Sequence, residues 1–504
     1  MQGVLRFLRK WNKILTVLAA VSVSSPLAPA QPAPAWLNHA HDVQHTAVSS
    51  VAAQDFNAIH WSTPVDLHPP GGEILIHYGS PVITAANTVI VPVKTGSNSF
   101  RVDAHNGADG SLLWTEATGY SAPAAGFMPG FSPALSRNKL FIPAQGGVVM
   151  VRENPDSANG KTTALVFYGI GNLQANPRAY INNVQINTPI TVDSAGTIYF
   201  GFIVLGSTPI GLQSGLAKIT AAGQGSWVAA SVAANDSSIT KVAMSCAPAL
   251  SPDGATLYVA VNSDFGFGYL LALNSTSLET ITAARLKDPS SGEDADITDS
   301  SSATPTVGPD GDVYYGVLEN PFPAHNDRGW MLHFNHDLTK VKIPGSFGWD
   351  DTASIVDASL VPSYHGTSTY LIMTKYNNYL GIGTGNGVNK IAILDPRATE
   401  SDPIIPSTKV MNEVLTIKGV TPDGGVKGAV REWCINTAAV DSATGTVLAN
   451  SEDGKLYRWD LSTNSFSQVI RLSGGIGEAY TPTLIGPDGT AYAINDAVLF
   501  AIGQ

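Results

Sequence analysis

The sequence has few cysteines and lacks the short motifs of several large enzyme classes. Only Cys246 and Cys434 occur in 504 residues, so the chain has no disulfide framework and no C-x-x-C-H haem attachment motif. A G-x-S-x-G elbow, an H-E-x-x-H motif, a Walker loop and a dinucleotide fingerprint are missing as well. These absences argue against c-type haem, serine hydrolase, zincin and nucleotide-binding functions.

Charged residues are also scarce, at 13% of the chain, and their balance is acidic. The formal net charge is −12, and without residues 1–30 it becomes more negative, because that segment contains four Lys/Arg and no Asp/Glu. Such a field repels polyanions, so we expect no nucleic-acid partner and no anionic membrane surface as a partner.

The first thirty residues have the pattern of an export signal. Four basic residues precede an apolar run of ten, Ile14–Val23, and Ala28-Pro29-Ala30 supplies small residues for cleavage. Ten apolar residues are about half of the roughly 20 that a membrane-spanning helix needs, so we expect cleavage and no stable membrane insertion. The segment contains no cysteine, which excludes a lipoprotein. The mature protein is therefore predicted to be secreted or periplasmic.

Glycine (49) and proline (32) are plentiful, and they recur in a repeated unit. The unit starts with a Ser/Thr/Ala-Pro anchor, followed by two apolar residues, a tight turn and a β-branched or aromatic strand. The eight anchors are Ser80-Pro81, Ser132-Pro133, Thr188-Pro189, Ala247-Pro248, Thr304-Pro305, Asp357-Ala358, Thr437-Ala438 and Thr481-Pro482. Asp-Gly turns such as Asp253-Gly254 mark hairpins, because Gly adopts the positive φ that these turns require. Short strands in eight such units predict an all-β fold, an eight-bladed β-propeller.

The strand count predicts how the ring closes. The last unit ends at Gln504 one strand short, whereas Ile59–Val65 is an extra strand before the first anchor. If this strand completes the last blade, no sheet edge is left exposed. The predicted organisation is a signal peptide over 1–30, an N-terminal extension over 31–58, and one propeller domain over 59–504 with an insertion within 396–433.

Two segments resemble the PQQ-type quinoprotein propellers. The opening Trp36–Thr46, followed by Ile59-His60-Trp61, resembles the start of that family's propellers, and Val102–Trp114 looks like its tryptophan-docking repeat. Lys455–Asn464 is a weaker copy. The resemblance implies the fold, in which such tryptophans join neighbouring blades. The family contains alcohol and sugar dehydrogenases and also non-enzymatic assembly factors, so the fold does not indicate which of these functions the protein has. The adjacent Cys-Cys pair of many of its alcohol dehydrogenases is missing here.

The segments just before the anchors are predicted to meet on one face of the ring, around the central channel. They include His77-Tyr78 and Trp349-Asp350-Asp351 and are rich in aromatic and polar residues, which either form a ligand site or are solvated loops that cap the core. The candidate binding residues are Tyr180, Asn183, Trp349, Asp350, Arg431, Glu432, Trp433, Asn436, Glu478 and Tyr480.

The densest of these segments is Arg431–Asn436, which offers a cation, an acid, a stacking surface and an amide. Arg431 and Trp433 are two residues apart, so in an extended backbone they are predicted to share one side, with Glu432 on the other. A quinone site would use a Trp floor, an Arg and Glu/Asn/Asp oxygens around Ca²⁺, but carbohydrate and peptide sites use the same residue types. Alternatively, Trp433 caps the core.

Two further clusters are candidate metal sites. Asp294, Asp296 and Asp299 lie in an acidic loop that could hold Ca²⁺, but the EF-hand spacing is absent and a plain acidic surface loop is favoured. His39, His41 and His45 form an H-x-H-x3-H pattern, for which a structural role in the N-terminal extension is favoured.

The cysteines precede anchors three blades apart, too far for a disulfide, so we expect two unpaired, inward-facing thiols.

The sequence leaves two functions open. The first is a secreted scaffold that binds a small molecule, glycan or protein through the loop face and requires no cofactor. The alternative is a PQQ- and Ca²⁺-dependent dehydrogenase that oxidises an alcohol or sugar.

Overall fold

Eight small sheets follow one another along the chain in the computed structural model, and their strands are antiparallel except for one short parallel pair, Val48–Ser49 with Val440–Asp441. The structure describes residues 35–72, 74, 76–123, 130–298, 303–477 and 479–504, and the predicted signal peptide lies outside them. The described part of the chain contains no helix that is long and apolar enough to cross a membrane. The eight sheets are the predicted blades, and the chain is an eight-bladed β-propeller.

The first four blades contain the strands β3–β20, after two strands, β1 (Val48–Ser49) and β2 (Ala58–Pro64), that pair with later blades. Blade 1 consists of β3 (Val82–Ile83), β4 (Thr88–Lys94), β5 (Ser99–Asn106) and β6 (Leu112–Ser121). Blade 2 consists of β7 (Ala134–Ser136), β8 (Lys139–Pro143), β9 (Val148–Glu153) and β10 (Thr162–Val166). Blade 3 consists of β11 (Val184–Ile186), β12 (Thr191–Val192), β13 (Ile198–Val204), β14 (Gly215–Ile219) and β15 (Gly225–Ala229). Blade 4 consists of β16 (Lys241–Val242), β17 (Ala249–Leu250), β18 (Thr256–Asn262), β19 (Gly268–Asn274) and β20 (Thr280–Arg285).

The other four blades complete the ring. Blade 5 consists of β21 (Thr306–Val307), β22 (Val313–Val317) and β23 (Trp330–Phe334). Blade 6 consists of β24 (Ser354–Asp357), β25 (Tyr370–Tyr376), β26 (Lys390–Ser401) and β27 (Lys409–Lys418). Blade 7 consists of β28 (Ala439–Asp441), β29 (Thr446–Ser451), β30 (Lys455–Asp460) and β31 (Ser465–Arg471). Blade 8 consists of β32 (Leu484–Ile485), β33 (Ala491–Asn495), β34 (Val498–Gly503) and β2.

Helical segments are short: α1 (Ile170–Ala175), α2 (Pro177–Ile181) and α3 (Ala230–Ala234), with 3₁₀ turns at Gln145–Gly147 and Ala358–Leu360. Part of the predicted insertion extends the β26–β27 hairpin, whose strands have 12 and 10 residues. The Asp-Gly turns form as predicted, since Gly254, Gly311 and Gly489 have φ of +72°, +86° and +86°.

The predicted closing strand is confirmed. β2 pairs antiparallel with β34, and its Trp61 lies opposite Ala501. Trp61 is 8% exposed, and its Nε1 donates to the carbonyl of Gly107 in blade 1 at 2.8 Å. A Cβ on Gly110 would lie 2.6 Å from the Trp61 ring, so this turn packs tightly against the indole. Trp114, at the end of the predicted docking repeat, donates to the carbonyl of Pro155 in blade 2 at 2.7 Å.

The N-terminal residues 36–54, which we call the strap, bond to all eight blades in order. Main-chain groups of the innermost strands are its main partners, from the Ile83 carbonyl in blade 1 to the Val440 amide in blade 7. The bonds run from Trp36 N to Ile83 O, Leu135 N to Leu37 O, Val192 N to Asn38 Oδ1, Leu250 N to Val43 O, Val307 N to Gln44 O, Ile355 N to Thr46 O, Val440 N to Ala47 O and Gln54 N to Gly489 O, at 2.7–3.0 Å. The innermost strands border the central channel of a propeller, so the strap occupies the channel at this level.

Candidate functional site

A buried lysine lies where the inner ends of several blades meet. Lys375 is the penultimate residue of β25 and is fully buried, with 0% exposure. Its Nζ lies 4.6 Å from the centre of the Tyr480 ring, 5.8 Å from that of Phe347 and 4.0 Å from Asp350 Oδ2. Among the described residues, no acceptor atom forms a hydrogen bond with this Nζ. An ammonium group with three unused N–H donors is costly to bury, so the position demands a further partner.

Blades 1, 6 and 8 contribute the groups next to this lysine. The rings of His77 and Tyr480 lie 3.8 Å apart between centroids, and His77 Nε2 is 3.9 Å from Asp350 Oδ2. Burial, and then the charge of Lys375, hold the pKa of His77 well below its usual range. His77 is therefore neutral at pH 7, and Lys375 is the cation at this point.

Three carboxyl groups near Lys375 have raised pKa values. Burial raises the pKa of Asp351 to about 7. Burial and then the charge of Glu319 raise the pKa of Asp327 to about 7, while burial and then the charge of Glu452 raise that of Glu432 to about 8. The charge of Lys375 opposes all three shifts, so these groups lie within its field. Strongly shifted carboxyl groups concentrate at functional sites, which makes this group a candidate site.

We call Lys375, His77, Asp327, Asp350, Asp351, Glu432 and Tyr480 the central cluster. Asp327, Glu432 and Tyr480 are only partly buried, so solvent reaches the cluster at these three residues, whereas Lys375 is fully buried.

A set of metal-ligand side chains adjoins the cluster. Ligand atoms of Glu432, Cys434 and Glu452 all lie within 4.8 Å of one another. Within the set, Cys434 Sγ donates to Glu452 Oε2 at 3.4 Å, and the Glu432 amide donates to Glu452 Oε1 at 3.0 Å. Two carboxylates and a thiol can ligate a divalent cation, although Glu452 already accepts two hydrogen bonds here.

Trp433 lies in the core between blades 6 and 7. It is 1% exposed, and its ring centre is 5.1 Å from that of Tyr457 and 5.8 Å from that of Phe466. Asn377 binds its main chain at both ends, with Oδ1 accepting from the Trp433 amide and Nδ2 donating to its carbonyl. Arg431 is bound to Asp423 at 3.1 Å. This placement agrees with the alternative in which Trp433 caps the core.

The partners of three other predicted binding residues are not members of the central cluster. Tyr180 on α2 is buried and stacks on Tyr168 with centroids 4.3 Å apart, and Asn183 donates to the carbonyls of Ala179 and Ser207. Asn436 is 1% exposed, and its carbonyl accepts from the Thr352 amide.

The binding residues predicted just before the anchors of blades 6 and 8 lie in the central cluster or next to it in the sequence. Trp349 is partly buried and precedes Asp350, and its amide donates to the Arg328 carbonyl. Asp350 and Tyr480, which both precede anchors, belong to the cluster, and their role in binding stays a prediction. Glu478 lies outside the described residues.

Two aspartates of the predicted acidic loop, Asp294 and Asp296, have different surroundings. Asp294 accepts from Arg285 Nε at 2.9 Å and pairs with Lys287 Nζ at 2.7 Å, so its charge is already compensated. Asp296 is partly buried, and burial raises its pKa to about 6. Asp299 lies outside the described residues. In the strap, His45 Nδ1 is 2.8 Å from the Pro305 carbonyl, which supports the structural role of that segment.

The cysteines are separate, as the blade spacing predicted. Cys246 and Cys434 are both buried and unbonded to each other.

Lys375, Asp327 and Glu452 were not predicted, because the candidate binding residues of the loop face were taken from the segments before the anchors. Lys375 had a signal, because it is the one charged residue in the apolar strand Tyr370–Tyr376. A charge inside a strand whose seven residues are all buried implies a specific partner.

The segment Arg431–Asn436 does not fit a bound quinone. Trp433 has its ring packed against core aromatics, and Arg431 is paired with Asp423, so neither provides the predicted floor and clamp.

Comparisons with known proteins agree on the fold. No protein-family model and no curated protein matches the sequence. Among solved structures, a europium-containing methanol dehydrogenase matches with a TM-score of 0.57 and 10% identity, covering 92% of this chain and 89% of that chain. The quinohemoprotein alcohol dehydrogenase from Comamonas testosteroni gives 0.52 and 12%, covering 95% and 82%. Saccharomyces cerevisiae Sqt1 gives 0.51 and 11%, covering 90% and 100%.

These matches define a class of fold. The chain is a quinoprotein-like, eight-bladed β-propeller. At such low identity the likeness extends to the fold alone, and the neighbours include dehydrogenases and a protein with no such activity in its name.

Proposed function

We propose that this protein is exported and binds a small ligand in the central cluster of its loop face. The observation that carries the proposal is Lys375, a fully buried ammonium group whose Nζ meets no hydrogen-bond acceptor among the described residues. A bound ligand that accepts from Nζ would offset the cost of burying this charge.

Two features support binding at this place. The partly buried Asp327, Glu432 and Tyr480 give access from solvent, and the aromatic ring of Tyr480 lies beside Lys375. A solvent-accessible site that combines a few polar groups with an aromatic ring is typical of small-molecule binding.

The binding proposal is tested by a thermal-shift screen of sugars, amines, carboxylates and metal ions. We expect a ligand that raises the melting temperature of the wild type and not that of Lys375→Met. The matched control is Lys340→Met, which removes an exposed lysine from a turn and should respond like the wild type. Equal shifts in all three proteins would place the ligand elsewhere and refute the proposal.

The dehydrogenase alternative is tested by adding PQQ and Ca²⁺ to the purified protein. A quinone absorption band that remains with the protein after desalting, together with dye-linked turnover of an alcohol or sugar, would refute a binding-only function. We expect neither, because Trp433 and Arg431 are engaged within the protein.

Export is tested by the intact mass of the protein recovered outside the cytoplasm. We expect the mature chain to begin near Gln31. Recovery of the full chain in the membrane fraction would contradict export by cleavage.

A further inference from the structure

Blade 7 holds a set of metal-ligating side chains that shares Glu432 with the central cluster. Glu432 and Cys434 precede the first strand of the blade, and Glu452 lies in the turn between β29 and β30. The ligand atoms of all three lie within 4.8 Å of one another, and Cys434 Sγ is 3.4 Å from Glu452 Oε2. In a tetrahedral zinc site, ligand atoms about 2.0–2.3 Å from the ion are roughly 3.5 Å apart, so the set is close to chelating geometry.

The two carboxyl groups of this set are poorly compensated by the protein. Among the described residues, none forms a hydrogen bond or an ion pair with the Glu432 side chain. Arg431 is 3.8 Å from Glu452 Oε1 but is bound more closely to Asp423, at 3.1 Å. Glu452 is only 6% exposed and Cys434 only 2%. Neighbouring acids at such a position repel each other unless a cation lies between them, so a metal ion would stabilise the set.

Main-chain contacts hold the three ligands in position. The Glu432 amide donates to Glu452 Oε1 at 3.0 Å, and Ser451 Oγ donates to the Glu432 carbonyl at 3.2 Å. Asn377 binds both main-chain groups of Trp433, the residue between the two ligands of the first segment. The two segments are therefore fixed side by side, and an ion requires only side-chain rotations. Surroundings that orient the ligands raise the affinity of a metal site.

The types of ligand atom select the ion. Ca²⁺ and Mg²⁺ prefer sets made only of oxygen ligands. A cysteine thiolate favours zinc or a similar transition metal, and zinc accepts carboxylates beside it. Three protein ligands leave one tetrahedral position for water or a small molecule. Glu432 is partly exposed, so an ion and this fourth ligand can reach the set from solvent.

We propose that Glu432, Cys434 and Glu452 bind one Zn²⁺ ion and leave its fourth position open. On binding, the Cys434 thiol loses its proton to solvent, and its hydrogen bond to Glu452 is replaced by a bond from the thiolate to the ion. This site goes beyond the proposed function and does not depend on Lys375. It is also distinct from the Ca²⁺ of the dehydrogenase alternative, whose ligands would all be oxygen atoms.

Titration of the metal-free protein with Zn²⁺, in competition with a chromophoric chelator, tests the site. We expect one Zn²⁺ per chain, bound at least about tenfold more tightly than Ca²⁺ or Mg²⁺, because of the thiolate. Co²⁺ in place of zinc gives a second readout, since a thiolate bound to Co²⁺ produces a charge-transfer band in the near ultraviolet and oxygen ligands do not. Zn²⁺ that binds no more tightly than Ca²⁺, or a Co²⁺ complex without this band, would overturn the proposal.

Variants of the ligands locate the ion, and each has a matched control. Cys434→Ser should weaken Zn²⁺ at least about tenfold and remove the charge-transfer band, whereas Cys246→Ser, at the other buried cysteine, should keep both. Glu432→Gln should weaken Zn²⁺ to a similar degree, and Glu293→Gln, at an exposed acid, should not. If Cys434→Ser does not fold, Glu432→Gln still decides, because its side chain forms no hydrogen bond with a described residue. Unchanged affinity in Glu432→Gln, or a band kept by Cys434→Ser, would refute the site.

Thermal shifts separate this site from the proposed function. Zn²⁺ should raise the melting temperature of the wild type and of Lys375→Met alike, and not that of Cys434→Ser. The small ligand of the proposed function should act in the opposite way, on Cys434→Ser and not on Lys375→Met. A zinc response that is lost in Lys375→Met and kept in Cys434→Ser would refute the zinc site. A screen in which zinc alone binds, and does so through Cys434, would support the zinc site and refute the proposed function.

Discussion

Trp433→Ala distinguishes a core residue from a ligand contact, and the structure predicts the size of its effect. Trp433 is 1% exposed and packs against Tyr457 and Phe466 in the cluster between blades 6 and 7. Truncation of a buried Trp costs about 3–5 kcal/mol, because the transfer energy of the indole is lost and a cavity remains. Over the roughly 470 residues of the propeller unit, the unfolding entropy is about 1 kcal/mol per kelvin. The melting temperature should therefore fall by about 3–5 °C.

Differential scanning calorimetry measures this directly, at one scan rate and with the ligand absent. Phe265→Ala is the control, because Phe265 is 85% exposed and its removal should leave the melting temperature within about 1 °C. The reasoning would be refuted if Trp433→Ala melted like the wild type. If it also lost a ligand that the wild type binds, Trp433 would be a ligand contact, and its core position would not be its main role.

Three further results are expected. Glu432→Gln should melt at a higher temperature than the wild type. The folded pKa of Glu432, about 8, exceeds its ordinary 4.5, so wild-type stability is lost as pH rises through that window. The difference should grow from pH 5 to 8 to roughly 2–4 °C and then level off, and a constant difference would contradict this. Deletion of residues 31–66 removes the strap and β2, so it should abolish the cooperative melt or cause aggregation, and an unchanged melt would argue against closure. Cys246 and Cys434 are buried, so a thiol reagent should label both only after denaturation, whereas labelling of the folded protein would show that one is accessible.

The fold could be predicted from the sequence because its determinants are local and repeated. Each anchor, Asp-Gly turn and apolar strand describes one hairpin, and eight copies leave few architectures to choose from. The closing strand Ile59–Val65 was predicted by counting strands. The last repeat was one strand short, and Ile59–Val65 was a strand that belonged to no repeat. Trp61 then docks on the turn of blade 1, which holds the two ends of the ring together.

The path of the strap could not be predicted, because its bonds depend on position rather than on residue type. Most use main-chain groups, such as the Leu37 carbonyl with the Leu135 amide and the Gln44 carbonyl with the Val307 amide. Any residue can make these bonds, so the sequence contains no pattern that specifies which blade each strap residue meets.

Part of the central cluster could be predicted from the sequence, and Lys375 shows why the rest could not. His77, Asp350 and Tyr480 precede anchors, so the ring itself brings them together, and their convergence follows from topology. Lys375 comes from the far end of the second strand of blade 6, next to these residues only because β25 runs antiparallel to β24. Its apolar strand would ordinarily exclude a charge, and a fully buried ammonium group survives there only if acids and rings surround it. A charged residue within an otherwise apolar, buried strand is therefore the sequence feature that most directly marks the centre of this propeller. Such residues have to be sought within each repeat as well as before its anchor.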